Sequence, residues 1–491
     1  MMITQEDYRA IRSAIAAIPG DVSNDAVGAH VAKIDDLFAP ESHAVALDPT
    51  TPIVIGTRGS GKSFWSSVLG QRDTLEAAAL AYPKLGLSET YVRFGYTGVG
   101  GEGGVSYEAI DASVPFDATI EQAKAFWWAT ILQAAAQVVG ENKRLSDFVS
   151  LAGDWEAREA YLLSHEKRLR NEGKTLLVVY DALDTVARTW PRRRLLTEAL
   201  LEVVWAMRAY RAIKTKLFLR PDQIEDDALH FVELPKLRTG AVRLTWSWTD
   251  LYGLLFSRLV STALDESRES FNRLLIDTGL PSADKNSILT RRWSLIIDPV
   301  SQKKLMARLS GPFMGAGNHA YKKGITYDWP LKHSADAFSE VTPRSFLGLM
   351  IAAAKHGVTP MDKAIAPDGI RHGLREASKT RVDQLHQEFP WIKGVLAPLA
   401  GLLLPQDASA VYEVWSKAET IKRLISDSEV NSYLLPFKGS GRRTEEELFN
   451  VLEEIGVMFR RKDNRLDMPD LFRVAAKLLK KGGIAPSVIQ K

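Results

Sequence analysis

The sequence predicts an α/β fold in which a parallel sheet with flanking helices is followed by a long helical region. In the first half of the chain, short β-branched and aromatic runs alternate with helical patterns. After Trp246 the strand signals fade and helical periodicity takes over. The 491 residues are 45% hydrophobic and 25% charged, which is typical of a globular chain of about three domains and excludes wholesale disorder.

The strands can be placed one by one. We expect them at residues 53–55, 90–95, 175–180, 216–219 and 241–246, each separated from the next by a helical pattern. A helix is predicted from Thr119 to about Val139, inside a long insert between the second and third strands. Beyond the sheet, helices are predicted at residues 250–264 and 335–356. The C-terminal region is predicted to contain a helix, two short strands around a basic turn, and a last helix over residues 469–479.

Charge and composition exclude several kinds of chemistry. Lys and Arg total 63 against 60 Asp and Glu, so the net charge of +3 does not indicate polyanion binding by the whole chain. Without cysteine there is no disulfide, thiolate nucleophile or Cys-ligated zinc. The N-terminal segment lacks the plan of a secretory signal, and the most apolar stretch, residues 395–405, is far shorter than the roughly 20 residues that span a bilayer. We therefore expect a cytoplasmic protein without a membrane segment.

The strongest motif is a glycine-rich loop after the first predicted strand. Residues 56–63 read GTRGSGKS and fit G-x-x-x-x-G-K-[ST] at every fixed position, with a strand before them and a helix after them. Such glycines let backbone N–H groups curl around phosphate oxygens at a helix N-terminus. Lys62 adds charge for the β- and γ-phosphates, and the Ser63 hydroxyl suits Mg²⁺. The predicted nucleotide-binding residues are Gly56, Thr57, Arg58, Gly59, Ser60, Gly61, Lys62, Ser63 and Phe64.

The third strand ends in two carboxylates. The apolar residues 176–180 run directly into Asp181-Ala182-Leu183-Asp184. A carboxylate at the end of a buried strand beside a phosphate loop is where magnesium is held, so Asp181 and Ser63 are the predicted metal ligands. Asp184 is predicted to polarise the attacking water. The alternative for Asp184 is that it caps the following helix.

The phosphate loop, the extra strand, the acidic strand end and the strand before Arg220 together resemble the additional-strand ATPases, specifically the AAA+ and STAND group. The resemblance covers roughly residues 50–355. It implies ATP and Mg²⁺ as ligands and assigns γ-phosphate sensing to Arg220, with Asp222 behind it, and to Arg344 in the lid. Many members carry a glutamate where this chain has Ala182, so hydrolysis depends on Asp184 as a substitute. Lys62, Asp184 and Arg220 are therefore the predicted catalytic residues.

Several arginines follow the acidic strand end. Arg188 and the run Arg192-Arg193-Arg194 lie on the side of the sheet where a neighbouring subunit's nucleotide could be reached. One of them is a candidate arginine finger. The alternative is a solvated helix start with Pro191 in its first turn.

The predicted organisation has four parts. They are an N-terminal helical segment (1–48), the P-loop ATPase domain (49–250), a helical lid (251–360) and a helical and winged-helix-like domain (361–491). Residues 445–481 resemble a winged helix, whose wing turn carries Arg460, Arg461, Lys462 and Arg465. Residues 436–491 contain twelve basic and eight acidic residues, a net charge of +4 that suffices for phosphate contacts. Winged helices also dock proteins, and Asp463 dilutes the positive charge, so a protein partner is favoured over nucleic acid.

The sequence therefore predicts an ATP-dependent regulatory or remodelling ATPase acting on a macromolecular partner, as a homo-oligomer or in a hetero-complex. Proteins with this outline are frequent in bacterial signalling and in defence against mobile elements, so the resemblance implies such a role by analogy. Two alternatives stay open: a nucleotide-gated binding switch with little turnover, and an ATP-controlled DNA-binding regulator. A GTPase would need an N/T-K-x-D clamp and an ABC ATPase an LSGGQ-like signature before the acidic strand, and the sequence has neither.

Overall fold

The computed structural model describes residues 3–19, 31–101, 104–224, 229, 231–431, 433–437 and 443–484. The chain divides into two compact units. The sheet unit is Val22–Thr245 with Lys285–Arg291, and the helical unit is Met1–Asp21 with Trp246–Asp284 and Arg292–Lys491. The predicted N-terminal segment 1–48 thus contributes to both units. The division into four domains stays a prediction.

The sheet unit is built around five parallel strands. These are β1 Ile53–Ile55, β2 Thr90–Tyr96, β3 Thr175–Tyr180, β4 Ile213–Leu219 and β5 Val242–Arg243, in the order β2-β3-β4-β1-β5. All predicted strands are present, which confirms the α/β fold class. The strand β5 is shorter than predicted because it pairs with β1, which is itself three residues long.

Alternate residues of the central strands face two different cores. On β3, residues 176, 178 and 180 pack into the cluster that contains Trp127, and residues 177 and 179 pack into the cluster that contains Trp65. A strand that is buried on both faces reads as a continuous apolar run instead of an alternating one. This is why residues 176–180 could be recognised from the sequence.

Helices cover both faces of the sheet. The predicted helix after Thr119 is confirmed as Ile120–Val138, with the Thr119 side chain as its N-cap. The α-helices of this unit are Ala44–Leu47, Lys62–Gly70, Arg72–Ala81, Tyr107–Ser113, Ile120–Val138, Leu145–Gly153, Trp155–Asn171, Trp190–Ala206, Pro221–Ile224, Leu234–Thr239 and Lys285–Leu289. Its 3-10 turns are Ile34–Asp36, Glu41–His43, Pro83–Leu85, Leu87–Glu89, Leu183–Thr185 and Met207–Ala209.

The helical unit contains two short strand pairs among its helices. The strands are β6 Leu403–Leu404, β7 Phe459–Arg460, β8 Leu466–Asp467 and β9 Leu479–Lys480; β6 pairs in parallel with β9, and β7 pairs antiparallel with β8. The α-helices are Gln5–Ala17, Trp248–Val260, Asp265–Asp277, Ser294–Ile297, Pro299–Ser310, Asp328–Ser334, Pro343–Lys355, Pro367–Glu388, Ile392–Leu396, Ala408–Lys417, Thr420–Asn431, Glu445–Glu454 and Asp470–Arg473, with 3-10 turns at Ala320–Lys323 and Ala397–Leu399. Among the described residues, no helix is both long and apolar enough to cross a bilayer.

Two predicted helices differ from the observed ones. The helix expected from residue 335 begins at Pro343, because the Thr342 side chain caps the backbone N–H of Ser345 and proline suits the first turn. The last predicted helix is wrong beyond Arg473. There the chain leaves the helix, and the Leu479 N–H donates to the Leu402 carbonyl at 2.8 Å as β9 pairs with β6.

Candidate nucleotide-binding site

The carboxyl ends of β1, β3 and β4 meet at one edge of the sheet. Gly56, Asp181 and Arg220 are the first residues after these three strands, and β4 lies between β1 and β3. In open parallel sheets, ligands bind at the carboxyl ends of the strands. The structure thus brings together three predicted site residues that lie far apart in the sequence.

The loop between β1 and the helix Lys62–Gly70 is shaped by its glycines. Gly59 and Gly61 have φ values of 85° and 103°, in the left-handed region that favours glycine. A Cβ on Gly56 would lie 2.2 Å from the Ser60 Oγ and 3.1 Å from the Lys62 Cγ, so a side chain there would force both neighbouring side chains to move. This shape fits the phosphate cradle that the motif predicts, and a helix N-terminus follows it directly.

Lys62 and Ser63 begin the helix and contact different partners. The Lys62 Nζ donates to the carbonyl oxygens of Gly56 at 2.6 Å and Thr57 at 3.2 Å, so the ammonium group folds over its own loop. The Ser63 hydroxyl lies near the Asp181 carboxylate and favours its ionised form. The two predicted metal ligands therefore lie side by side.

Asp181 is a buried carboxylate, only 4% exposed. Burial raises its pKa, while the Ser63 hydroxyl and the charge of Lys62 oppose that rise. A hydroxyl and a carboxylate oxygen are the hard ligands that Mg²⁺ prefers, together with waters and substrate phosphates. The chemistry of this donor pair fits a magnesium ion.

Asp184 lies in the 3-10 turn Leu183–Thr185. The preceding Ala182 has a φ of 58°, which is uncommon for a residue other than glycine. The turn is fixed by Thr185, whose N–H and hydroxyl both donate to the Ala182 carbonyl at 2.9 and 2.8 Å. Neither this turn nor the helix at Trp190 has a side-chain cap hydrogen bond. Asp184 is therefore not a helix cap.

Arg220 connects the ends of β4 and β3. Its Nε and Nη2 donate to the two carboxylate oxygens of Asp222 at 3.0 and 2.6 Å, a bidentate pair that orients the guanidinium plane. Its Nη1 donates to the Asp184 Oδ2 at 3.3 Å. The structure thus joins the predicted sensor and the predicted water-polarising residue in one group.

Sequence reasoning missed three buried groups that position this site, of which two are Glu166 and His43. The Glu166 carboxylate accepts backbone N–H groups of residues 211–213 at 2.8–3.1 Å, where β4 begins. The His43 Nδ1 accepts from the Trp65 Nε1 at 3.1 Å and its Nε2 donates to the Thr245 carbonyl at 2.9 Å, which ties the phosphate-loop helix to residue 245. Burial lowers the pKa of His43 to about 4. No sequence pattern distinguishes either residue from an ordinary polar one.

Lys216 is a third buried group, on β4. Its Nζ donates to the carbonyl oxygens of Ala46, Asp48 and Thr51 at 2.7–2.9 Å. Burial lowers its pKa to about 7, while each of the three carbonyl oxygens accepts one hydrogen bond from the ammonium group. Lys216 thereby anchors the segment that enters β1.

The candidate finger arginines differ in their burial and in the partners of their side chains. Arg192 is buried and donates to Asp111 at 2.9 Å and to the carbonyls of residues 114 and 115 at 2.8 Å, so it is neither a finger nor part of a solvated helix start. Arg188 is exposed, with its guanidinium 5.6 Å from the Tyr107 ring centroid. Arg193 lies between these extremes: it is half-buried, and its Nη2 donates to the Ala187 carbonyl at 3.1 Å.

The other predicted site residues have definite places as well. Thr57, Arg58 and Ser60 lie in the glycine turn, and Phe64 lies in the first turn of the helix with its ring edge-on to Trp65 at 5.6 Å. Arg344 is the second residue of helix Pro343–Lys355, in the helical unit. The nucleotide-sensing role of Arg344 stays a prediction.

The basic residues of the wing turn are largely paired within the turn. Arg465 donates to the Asp463 Oδ2 at 3.0 and 2.7 Å. Arg461 lies 3.8 Å from Asp463 and 3.5 Å from the buried carboxylate of Asp467. The Arg460 guanidinium lies 5.1 Å from the Phe449 ring centroid. These contacts reduce the positive charge that the turn presents to a partner.

Comparison with solved structures finds six matching chains, including a Cdc6p and an ORC2 protein. No family model and no curated protein matches the chain. Cdc6p from Pyrobaculum aerophilum superposes with a TM-score of 0.28 at 10% identity, over 85% of this chain and 83% of that one. The ORC2 protein of Aeropyrum pernix, solved as ADPNP and ADP complexes, superposes with a TM-score of 0.31 at 11% identity, over 89% of this chain and 93% of that one. The chain's resemblance to AAA+ P-loop ATPases therefore rests on its own phosphate loop and strand order.

Proposed function

We propose that this protein binds ATP with magnesium and hydrolyses it to regulate or remodel a macromolecular partner in the cytoplasm. The position of the buried Asp181 near Ser63 carries the proposal, because it brings the acidic end of β3 to the last residue of the phosphate-loop motif. A glycine turn that bound nothing would have no need of a buried carboxylate at that place.

Each residue of the site has a role in this proposal. Lys62 exchanges its two loop carbonyls for β- and γ-phosphate oxygens when ATP binds. Ser63 and Asp181 hold magnesium, which neutralises charge on the phosphates. Asp184 orients the attacking water. Arg220, oriented by Asp222, stabilises the charge that develops on the γ-phosphate.

Ligand-induced stabilisation tests nucleotide binding. A ligand that binds only the folded state adds about 2.7 kcal/mol at 100 times its Kd, so ATP with Mg²⁺ raises the melting temperature of the wild type. Lys62→Ala removes this rise, whereas the exposed Lys84→Ala, the matched control, keeps it. An equal rise in Lys62→Ala would refute the assignment.

The contact between Arg220 and Asp184 favours a second candidate, a nucleotide-gated switch with little turnover. This carboxylate already has an arginine as its partner, which restrains it from positioning a water. A switch binds ATP as tightly as an ATPase does but releases no phosphate above background. Steady-state phosphate release by the full chain, with its partner present, separates the two.

The partner that we propose is a protein. The pairing of Arg461 and Arg465 with Asp463 and Asp467 leaves the wing turn poorly suited to a phosphate backbone. The winged-helix character of this region, assembly into a homo-oligomer or hetero-complex, and a role in bacterial signalling or defence belong to the same proposal. A pull-down with the full chain, with and without ATP, would identify the partner; a DNA-dependent capture would favour the ATP-controlled DNA-binding regulator instead.

A further inference from the structure

An open depression of about 800 Å³ lies on the surface of the sheet unit. It is lined by Trp205, Ala206, Arg208, Ala209 and Lys236. The two alanines are exposed and stand next to the much longer side chains of Trp205 and Arg208 in the sequence. The depression thus results from small residues set among large ones where the helix Trp190–Ala206 ends.

The depression lies away from the candidate nucleotide site. The helix Trp190–Ala206 precedes β4, and Lys236 belongs to the helix Leu234–Thr239, which precedes β5. In a parallel sheet, a helix that leads into a strand ends near the amino end of that strand, whereas Gly56 and Asp181 follow the carboxyl ends of theirs. The occupant of the depression is therefore not the nucleotide held at the glycine-rich loop.

Two cations line the depression without a carboxylate partner. The Arg208 guanidinium lies 4.2 Å from the Trp205 ring centroid, and the Lys236 Nζ lies 5.5 Å from it. Both cationic side chains are exposed, and neither forms an ion pair with any residue that the structure describes. A guanidinium stacked on a ring keeps the N–H donors at its edge, and an ammonium group has three donors. The depression is therefore bordered by positive charge that is available to a ligand.

We propose that this depression docks an acidic segment of the protein partner, with an apolar side chain over the two alanines and carboxylates on Arg208 and Lys236. The inference rests on the proposed function, since it names the chemistry of the partner proposed there. Trp and Arg are enriched among the residues that dominate the binding energy of protein interfaces. Opposite charges across an interface speed the encounter and fix the register of the partner.

The stacking of Arg208 on Trp205 favours a protein segment over nucleic acid. Single-stranded nucleic acids bind sites of this composition by stacking their bases on aromatic rings. The Arg208 guanidinium already covers the Trp205 ring, and a separation of 4.2 Å leaves no room for a base between them. The surface over the two alanines suits an apolar side chain, which a phosphate backbone does not supply. The depression therefore fits a peptide that carries both acidic and apolar side chains.

Binding of a defined peptide tests the proposal. The probe is a fluorescein-labelled peptide of aspartates and glutamates around a central leucine, and its counterpart carries asparagines and glutamines instead. Fluorescence anisotropy with the full chain, without nucleotide, gives the Kd of each peptide. We expect the acidic peptide to bind ~10-fold or more tightly than its counterpart, and added salt to weaken its binding because the charges are screened. Equal affinities for the two peptides would overturn the inference.

Three variants assign the binding to the depression. Arg208→Glu with Lys236→Glu weakens binding of the acidic peptide by ~10-fold or more, because like charges then face each other. Lys33→Glu with Lys84→Glu, at exposed lysines elsewhere in the sheet unit, changes the net charge by the same amount and retains the wild-type affinity. Ala209→Phe fills the depression without changing its charge, and we expect a loss of ~10-fold here as well. All these positions are exposed, and the melting temperature of each variant checks that it is folded.

The possible failures are distinguishable. Wild-type affinity in the charge-reversed variant or in Ala209→Phe would overturn the inference, as would an equal loss in the control with Lys33→Glu and Lys84→Glu. Tighter binding of labelled duplex DNA than of the peptide, lost in the charge-reversed variant, would assign the surface to nucleic acid instead. The rise in melting temperature with ATP and Mg²⁺ is measured separately. Its absence in a wild type that binds the peptide would refute nucleotide binding alone, and its presence without peptide binding would refute this inference alone.

Discussion

The Arg220 Nη1 donates to the Asp184 Oδ2 across 3.3 Å and so joins the ends of β4 and β3 at the candidate site. Asp222 holds the same guanidinium group from its other side with two shorter bonds, at 3.0 and 2.6 Å. The bidentate pair fixes Arg220, whereas the longer contact to Asp184 is the weaker of the two. Asp184 is therefore the member of this group that can most easily change its partner.

The two carboxylates at the end of β3 should differ in their effects on hydrolysis. Asp184→Asn removes a group that positions water, so ATP turnover falls by a factor of ~10²–10⁴ while nucleotide affinity is retained. Asp181→Asn removes a magnesium ligand and lowers both quantities. Steady-state phosphate release and nucleotide titration measure the difference. Normal turnover by Asp184→Asn would show that this residue does not polarise the attacking water.

Glu166 should stabilise the sheet unit through the start of β4. Glu166→Gln replaces a charged acceptor of several backbone N–H groups with a neutral amide, which costs about 2 kcal/mol in the free energy of unfolding. Glu172→Gln near the end of the same helix removes only the exposed pair with Arg168 and costs less than about 0.5 kcal/mol. Urea denaturation of the full chain compares the two variants. Equal losses would mean that the carboxylate of Glu166 does not stabilise β4.

His43 should make the stability of the sheet unit depend on pH. Its pKa of about 4 in the folded chain lies below its ordinary value of 6.5, so the unfolded chain binds more protons between these values. The stabilisation is complete above about pH 6.5 and is lost as the pH falls towards 4, by up to ~3 kcal/mol.

Denaturation midpoints between pH 4.5 and 7 measure this dependence. His43→Gln should flatten it over that range, because glutamine does not titrate there. His319→Gln, in an exposed loop, controls for the loss of a histidine as such. The same pH dependence in wild type and His43→Gln would contradict the prediction.

The wing turn should contribute little to DNA binding. We expect the full chain to bind duplex DNA weakly at physiological salt and Arg461→Ala with Lys462→Ala to leave the salt dependence unchanged, while the partner is lost from the pull-down. If both side chains contacted phosphates, the slope of log affinity against log salt would flatten by about 1.8. Fluorescence anisotropy over a salt series measures the slope, and a flattening of that size would establish a nucleic-acid role.

The sequence by itself determined the strands and the phosphate loop, because their signals lie in consecutive residues. Burial on both faces requires consecutive apolar residues, and this pattern marks Ile53–Ile55 and the strand before Asp181. Backbone curvature requires glycines, and this pattern marks the GTRGSGKS loop. The predicted bounds of the strand β5 and of the last helix were less accurate, because the ends of these elements depend on pairing partners far away in the chain.

Only the tertiary structure decided which side chains meet. The nearness of Ser63 to Asp181, the contact of Arg220 with Asp184 and the contact of Arg192 with Asp111 all join residues from separate elements. In the sequence, Arg192 and Arg193 are adjacent and alike, yet Arg192 contacts Asp111 while Arg193 donates to the Ala187 carbonyl. Neighbouring residues on a helix point about 100° apart, and which direction leads to the site depends on how the helix packs against the sheet.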